Sequence, residues 1–183
     1  MSVFSIGHYD YELDTFMQML EEANITIIAD VRAFPNSKRH PQYNQESLEK
    51  WLENHHIKYQ HMQLLGGRRK QSQEIGGSLN EGWDNQSFHN YADYTLTDEF
   101  KIGVNELIEM SKEETVAILC AEQHPSRCHR LIISNWLVAH KIEVNHIIFN
   151  SKEGIKVVPH QLGKWGAMPI LEDDGEVVYP KQT

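Results

Sequence analysis

An α/β fold with a mostly parallel sheet flanked by helices is predicted by three observations. Strand-like and helix-like segments alternate along the chain. The run Ile25–Val31 is nearly all apolar, as expected of a strand covered on both faces. A length of 183 residues, with 40% apolar and 23% charged, is that of an ordinary globular chain with one main core.

The elements follow in order. Val3–His8 reads as a short strand. Leu13, Phe16, Met17 and Leu20 make the stripe of an amphipathic helix. After the Ile25–Val31 strand, Asn44 reads as an N-cap for a helix that buries Leu48, Trp51 and Leu52. Lys58–Leu65 alternates as a strand does. Gly66–Asn90 holds five glycines and little apolar periodicity, which predicts either a binding loop or a mobile excursion. Thr97 reads as a second N-cap, with Asp98 and Glu99 favourable in the first turn and Phe100, Val104, Leu107 and Ile108 facing inward. Val116–Cys120 is a buried strand, followed by a helix opening at Ser126 and running to about His140. Glu143–Phe149 is a further strand. Met168–Tyr179 reads as a hairpin around Asp174-Gly175. We therefore expect one α/β domain over residues 1–150 that carries the site, with 151–183 as an extension packed on it.

The formal charge is −9, which argues against a surface built for nucleic acid. Eight of the 17 basic residues nevertheless fall in three short stretches: Arg32, Lys38, Arg39; Arg68, Arg69, Lys70; and Arg127, Arg130. Such local clustering suits a small anion, or a few phosphates of a larger ligand; scattered solvated charge is the plainer alternative. Two cysteines do not make a disulfide framework, and reduced thiols are expected. The N-terminus has no charged region followed by an apolar one, and no segment has the apolar length of a membrane span. Cytoplasm is the default expectation, without membrane association; oligomeric state and cofactor stay open.

Thr115–Arg130, TVAILCAEQHPSRCHR, concentrates the chemistry. Both cysteines lie in it, at a strand end and a helix start, where thiolates and bound anions are stabilised. If the sheet is parallel, ligands bind outside the carboxyl ends of its strands. His8, Asp30 with Arg32, Gly66-Gly67-Arg68-Arg69, and Cys120 all fall at such ends, so they should share one edge. Asp30 could instead cap a turn or pair with Arg32, and His8 could be an ordinary loop histidine. Gly66 and Gly67 either supply the positive φ of a turn or let backbone N–H groups approach an anion. Arg127 and Arg130, one helical turn apart, oppose the macrodipole, a conflict a bound anion relieves. Packing against the sheet is the expectation for Cys128.

The motifs SIGHY (Ser5–Tyr9), ADVRAFPNSKRHPQYN (Ala29–Asn44), LLGGRR (Leu64–Arg69), YADYTLTDEF (Tyr91–Phe100) and CAEQHPSRCHR (Cys120–Arg130) occur in this order. In them the chain resembles the family called domain of unknown function 488. The resemblance implies an α/β fold and no particular reaction. It implies site positions at His8, Asp30, Arg32, Pro35 and Arg39, then Gly66, Gly67 and Arg68, then Tyr91 and Tyr94. The last group is Cys120, Glu122, Cys128, His129 and Arg130. ADVR is similar to the start of rhodanese-like domains, and the Cys-loop-Arg segment is similar to the phosphate cradle of cysteine phosphatases. Six residues separate Cys120 from Arg127, where those phosphatases have five, and Glu122 would repel phosphate. Neither activity is carried over.

Three functions compete. In an enzyme, Cys120 would be the nucleophile, Glu122, His8 or His129 the acid or base, and Asp30 an orienting group. Arg32, Arg39, Gly66, Gly67, Arg68, Arg69, Tyr91, Tyr94, Arg127 and Arg130 would hold an anionic, phosphate-bearing or nucleotide-like substrate. In a nucleic-acid or nucleotide binding module, Tyr9, Tyr43, Trp83, Tyr91 and Tyr94 would stack on bases beside the arginines. In a metal site, Cys120, Cys128 and His129, with His8 or Glu122, would be ligands, although Cys-x7-Cys-His is not a standard zinc spacing.

Overall fold

The computed structural model describes residues 1–182. Its core is a six-stranded sheet in the order β3-β2-β4-β1-β5-β6. β1 (Ser2–Gly7), β2 (Ile27–Asp30), β3 (Lys58–His61), β4 (Val116–Cys120) and β5 (Glu143–Asn150) pair in parallel; β6 (Gly154–Pro159) runs antiparallel to β5.

Alternation along the strands splits the core into two layers. Ile28, Ala117 and Leu119 face α1 (Leu13–Glu22) and α2 (Gln45–Asn54), where Phe16, Leu20, Leu48 and Leu52 are buried. Ala29, Ile118 and Cys120 face α4 (Asp98–Glu113) and α5 (Arg130–Ala139), where Phe100, Val104, Ile133 and Leu137 are buried. Cys120 therefore shares a face with the α5 side of the core. Thr97 caps α4 as expected, accepting from the Phe100 N–H. Asn44 precedes α2, but its side chain accepts from Ser37 N–H at 2.6 Å and caps nothing in the helix.

Three local expectations are corrected. The strand from Lys58 ends at His61, and a 3-10 turn occupies Gln63–Leu65. The glycine-rich stretch contains α3 (Gln86–Tyr94), started by Asn85, whose side chain accepts from Ser87 and Phe88 N–H. The last helix starts at Arg130 rather than Ser126, because Pro125–Arg127 forms a separate 3-10 turn. Arg127 and Arg130 thus do not sit on consecutive turns of one helix. Beyond residue 150, β6 joins the sheet as an antiparallel edge strand, and β7 (Ile170–Leu171) and β8 (Val177–Val178) form the hairpin expected there, with Gly175 at φ +89° in its turn.

The tail returns to the core through Tyr179. Its backbone N–H donates to Asn80 Oδ1, its carbonyl accepts from Gly82 N–H, and its hydroxyl accepts from Asn135. Among the described residues no helix is long and apolar enough to cross a membrane.

Candidate functional site

β1, β2 and β4 all end at one edge, so their terminal residues meet. Gly7 pairs with Cys120 and Asp30 with Leu119. His8 N–H then donates to the Cys120 carbonyl at 3.1 Å, and Tyr9 N–H to the Ala121 carbonyl at 3.0 Å. A side chain at Gly7 has no room, since a Cβ there would lie 1.7 Å from the Glu122 carbonyl oxygen.

Beyond this edge opens a cavity of about 430 Å³, a volume suited to a small-molecule site. Arg32, Gly67, Arg68, Arg69, Tyr91, Cys120, Glu122, Arg127, Cys128 and His129 line it, together with Phe34, Ser87 and Phe88. A larger, more open groove of about 780 Å³ lies between β3 and α4, but Glu106, Glu109 and Glu113 line it and no nucleophile does.

The two sulfurs face each other at 2.7 Å as free thiols. Arg130 is fully buried and reaches both: Nε donates to Cys120 Sγ at 2.8 Å and to Cys128 Sγ at 3.3 Å. Its other nitrogens are also engaged, NH1 with Ser5 Oγ at 3.0 Å and NH2 with the Glu122 carbonyl at 2.7 Å. The sulfurs are not equivalent. Cys120 is buried on β4, and burial together with the neighbouring sulfur pushes its thiol well up. Burial opposes ionisation of Cys128 as well. There, however, the Cys120 thiol, the Arg130 guanidinium and the Arg130 backbone N–H overcome it and hold Cys128 well below the usual thiol range. Cys128 closes the Pro125–Arg127 3-10 turn, two residues before α5, and is only half-buried.

His129 is fixed by a hydrogen bond from Nε2 to the Val31 carbonyl at 2.7 Å, which leaves Nδ1 without a proton. Burial keeps it neutral, its pKa lowered. Gly67 matters for this ring: a Cβ there would stand 2.9 Å from Nδ1. The tight turn does not use either glycine for positive φ; Gly66 has φ −60° and the left-handed residue is Arg68, at φ +59°.

Asp30 and Arg32 form a buried ion pair at 2.7 Å, supported by Tyr59 OH on the same carboxylate. Arg32 NH1 lies 3.3 Å from His8 Nε2, and His8 Nδ1 donates to the Tyr9 carbonyl at 2.8 Å. Burial pushes the His8 pKa down to about 4, and the imidazole stacks on Tyr43. Arg69 is likewise engaged, with the Gly66 and Gln63 carbonyls and over the Tyr94 ring at 3.8 Å. Tyr91 and Tyr94 donate their hydroxyls to the Leu65 and Leu64 carbonyls. Tyr94, Gly66, Arg39, Asp30, His8 and the buried Arg130 stay outside the cavity lining, and Arg39 is exposed elsewhere. Arg68 and Arg127 are exposed at the rim, free of ion pairs among the described residues.

A buried chain behind Arg130 was not legible in the motifs. Ser5 Oγ joins His146 Nδ1, His146 Nε2 stands 2.9 Å from His160 Nδ1, and His160 Nε2 stands 2.7 Å from Asn135 Oδ1. Their only sequence signal is a histidine on the inward face of β5. Among the described residues no three His, Cys, Asp or Glu side chains converge as metal ligands would; Arg130 binds the sulfurs that the metal reading needed.

The family described as "Domain of unknown function DUF488" matches residues 12–137. No curated protein and no solved structure matches the chain.

Proposed function

The chain belongs to the domain of unknown function 488 family, and from that premise we propose an enzyme that binds a small anionic substrate and attacks it through the Cys128 thiolate. The observation that carries this reading is the position of Arg130: one buried guanidinium contacts both sulfurs at the floor of the cavity. Cys128 takes the nucleophile role that the sequence assigned to Cys120, because it is the less buried sulfur and the better stabilised anion. Arg127 and Arg68 are the arginines left to meet the substrate's charge, since Arg32 is neutralised by Asp30 and Arg130 by the thiolate. His129 Nδ1 accepts or returns a proton, and Glu122, exposed on the cavity wall, is the alternative carrier. His8 and Asp30 position Arg32.

The test is alkylation by iodoacetamide as a function of pH, with the modified residue located by peptide mapping. Cys128 should label with a midpoint well below about 8.5, the ordinary thiol value, and inorganic phosphate should slow the reaction. Labelling of Cys128 only at or above that ordinary value removes the nucleophile.

A second reading has its own support. Phe34 is 69% exposed at the rim, with the Arg68 guanidinium 5.4 Å from its ring centre. An aromatic face beside a free cation suits a nucleobase and its phosphate. A binding module without catalysis would show salt-sensitive affinity for nucleotides or single strands and an unreactive Cys128.

A further inference from the structure

We propose that Cys120 is the resolving thiol for Cys128, so that the cavity carries out thiol–disulfide exchange on a small disulfide bearing carboxylate or phosphate groups. This rests on Cys128 being the nucleophile and adds the substrate class and the second sulfur.

The geometry favours exchange over simple alkyl or acyl transfer. A nucleophile for a single covalent step needs one sulfur. Here a second lies 2.7 Å away, about 0.7 Å beyond the length of a disulfide bond. The seven residues between them, Ala121–Arg127, form a closed turn, with Glu122 held by Arg130 and Pro125–Arg127 in a 3-10 turn. The sulfurs need to approach by only about 0.7 Å for the bond to form.

The Cys128 thiolate attacks one sulfur of R–S–S–R; that S–S bond breaks, Cys128–S–S–R forms, and RS⁻ leaves and takes up a proton. Cys128 no longer carries charge, so Arg130 has only Cys120 to stabilise, and its Nε is already the closer to that sulfur, at 2.8 Å. Cys120 gives its proton to solvent or to the departing thiolate and attacks Cys128 Sγ. The Cys120–Cys128 disulfide forms, and the second RS⁻ leaves. One substrate disulfide is reduced to two thiols and two protein thiols are oxidised. Return to the starting state requires an external dithiol. Arg130 thus serves the two sulfurs in turn. Arg68 and Arg127 at the rim favour a substrate with anionic groups near its sulfur.

The test uses the full chain, fully reduced and freed of reductant, with glutathione disulfide as the anionic probe and cystamine as the cationic one. The wild type should release two glutathiones per chain and end with an internal Cys120–Cys128 disulfide, located by non-reducing peptide mapping; dithiothreitol should restore both thiols. Cys120→Ala should stop at a mixed disulfide on Cys128 with one glutathione released. Arg68→Ala with Arg127→Ala should slow the glutathione reaction roughly tenfold and not the cystamine reaction. The wild-type arm alone decides the matter should Cys120→Ala fold poorly. A wild type that halts at the mixed disulfide, or that pairs between chains, overturns the resolving role while rapid iodoacetamide labelling leaves Cys128 as a nucleophile. An inert Cys128 in both assays removes both readings.

Discussion

His146 Nε2 and His160 Nδ1 stand 2.9 Å apart, and the ends of their chain fix which nitrogen carries each proton. Asn135 Nδ2 donates to Tyr179 OH, so its Oδ1 must accept from His160 Nε2. His160 Nδ1 then accepts from His146 Nε2, and His146 Nδ1 accepts from the Ser5 hydroxyl. Both rings are neutral, and one more proton on either breaks the chain.

The consequence is acid sensitivity. Burial pushes His146 down to about 2 and His160 to about 4 from an ordinary 6.5. In the unfolded chain both take up protons as pH falls below 6.5, while in the folded chain they do not. Their contribution to stability is therefore full above 6.5 and declines below it: down to about 4 for His160, by roughly 3 kcal/mol at most, and on toward about 2 for His146. Urea midpoints measured from pH 7 to 4.5 should fall, and His160→Gln should flatten the slope. An unchanged slope in that variant would refute the assignment.

Arg130→Met should return Cys128 to an ordinary thiol. Iodoacetamide labelling at pH 6.5 should drop at least about tenfold, since each pKa unit removed is a factor of ten in thiolate. The stability cost should stay near ~1–3 kcal/mol, because the thiolate can protonate once its partner is gone. Labelling rate and urea denaturation on the same protein separate the two effects.

Asp30→Asn predicts the opposite pattern. It leaves Arg32 as an uncompensated buried charge, which costs on the order of 3 kcal/mol. Cys128 labelling should be unaffected at temperatures where the variant is folded, as neither residue touches a sulfur.

Two glycines should differ sharply. Gly7→Ala drives a methyl into the Glu122 backbone carbonyl and should cost ~3 kcal/mol or prevent folding. Gly67→Ala meets only the edge of the His129 ring, which can swing away at the expense of its bond to Val31. Its cost should be about 1–2 kcal/mol, and nuclear magnetic resonance of the imidazole should show a changed tautomer.

The inner strands were legible from continuous apolar runs, Ile25–Val31 and Val116–Cys120, and β3 from its alternation, although its end was placed too far along the chain. α3 was hidden because Gln86–Tyr94 follows five glycines in a polar context, and its one clear mark, Asn85, is common in loops. β6 was hidden because Gly154–Pro159 is an edge strand with no buried side chain, lacking the pattern that reveals a strand. In the site, the gathering at one sheet edge followed from parallel topology. Which charges stay free did not, since the pairing of Arg32 with Asp30 and of Arg69 with carbonyls depends on side-chain directions. The inequality of the two sulfurs was also beyond spacing: it comes from the burial of Cys120 on β4 and from the contacts Arg130 makes to Cys128.

β1 lies outside residues 12–137, yet it is flanked by β4 and β5 and supplies Ser5 to Arg130. A piece cut to the matched span would keep both sulfurs but lose β1, β5 and both histidines of the buried chain behind Arg130. Engineers who wish to transplant this chemistry must carry Ser2–Gly7 and the stretch through Tyr179 along with it.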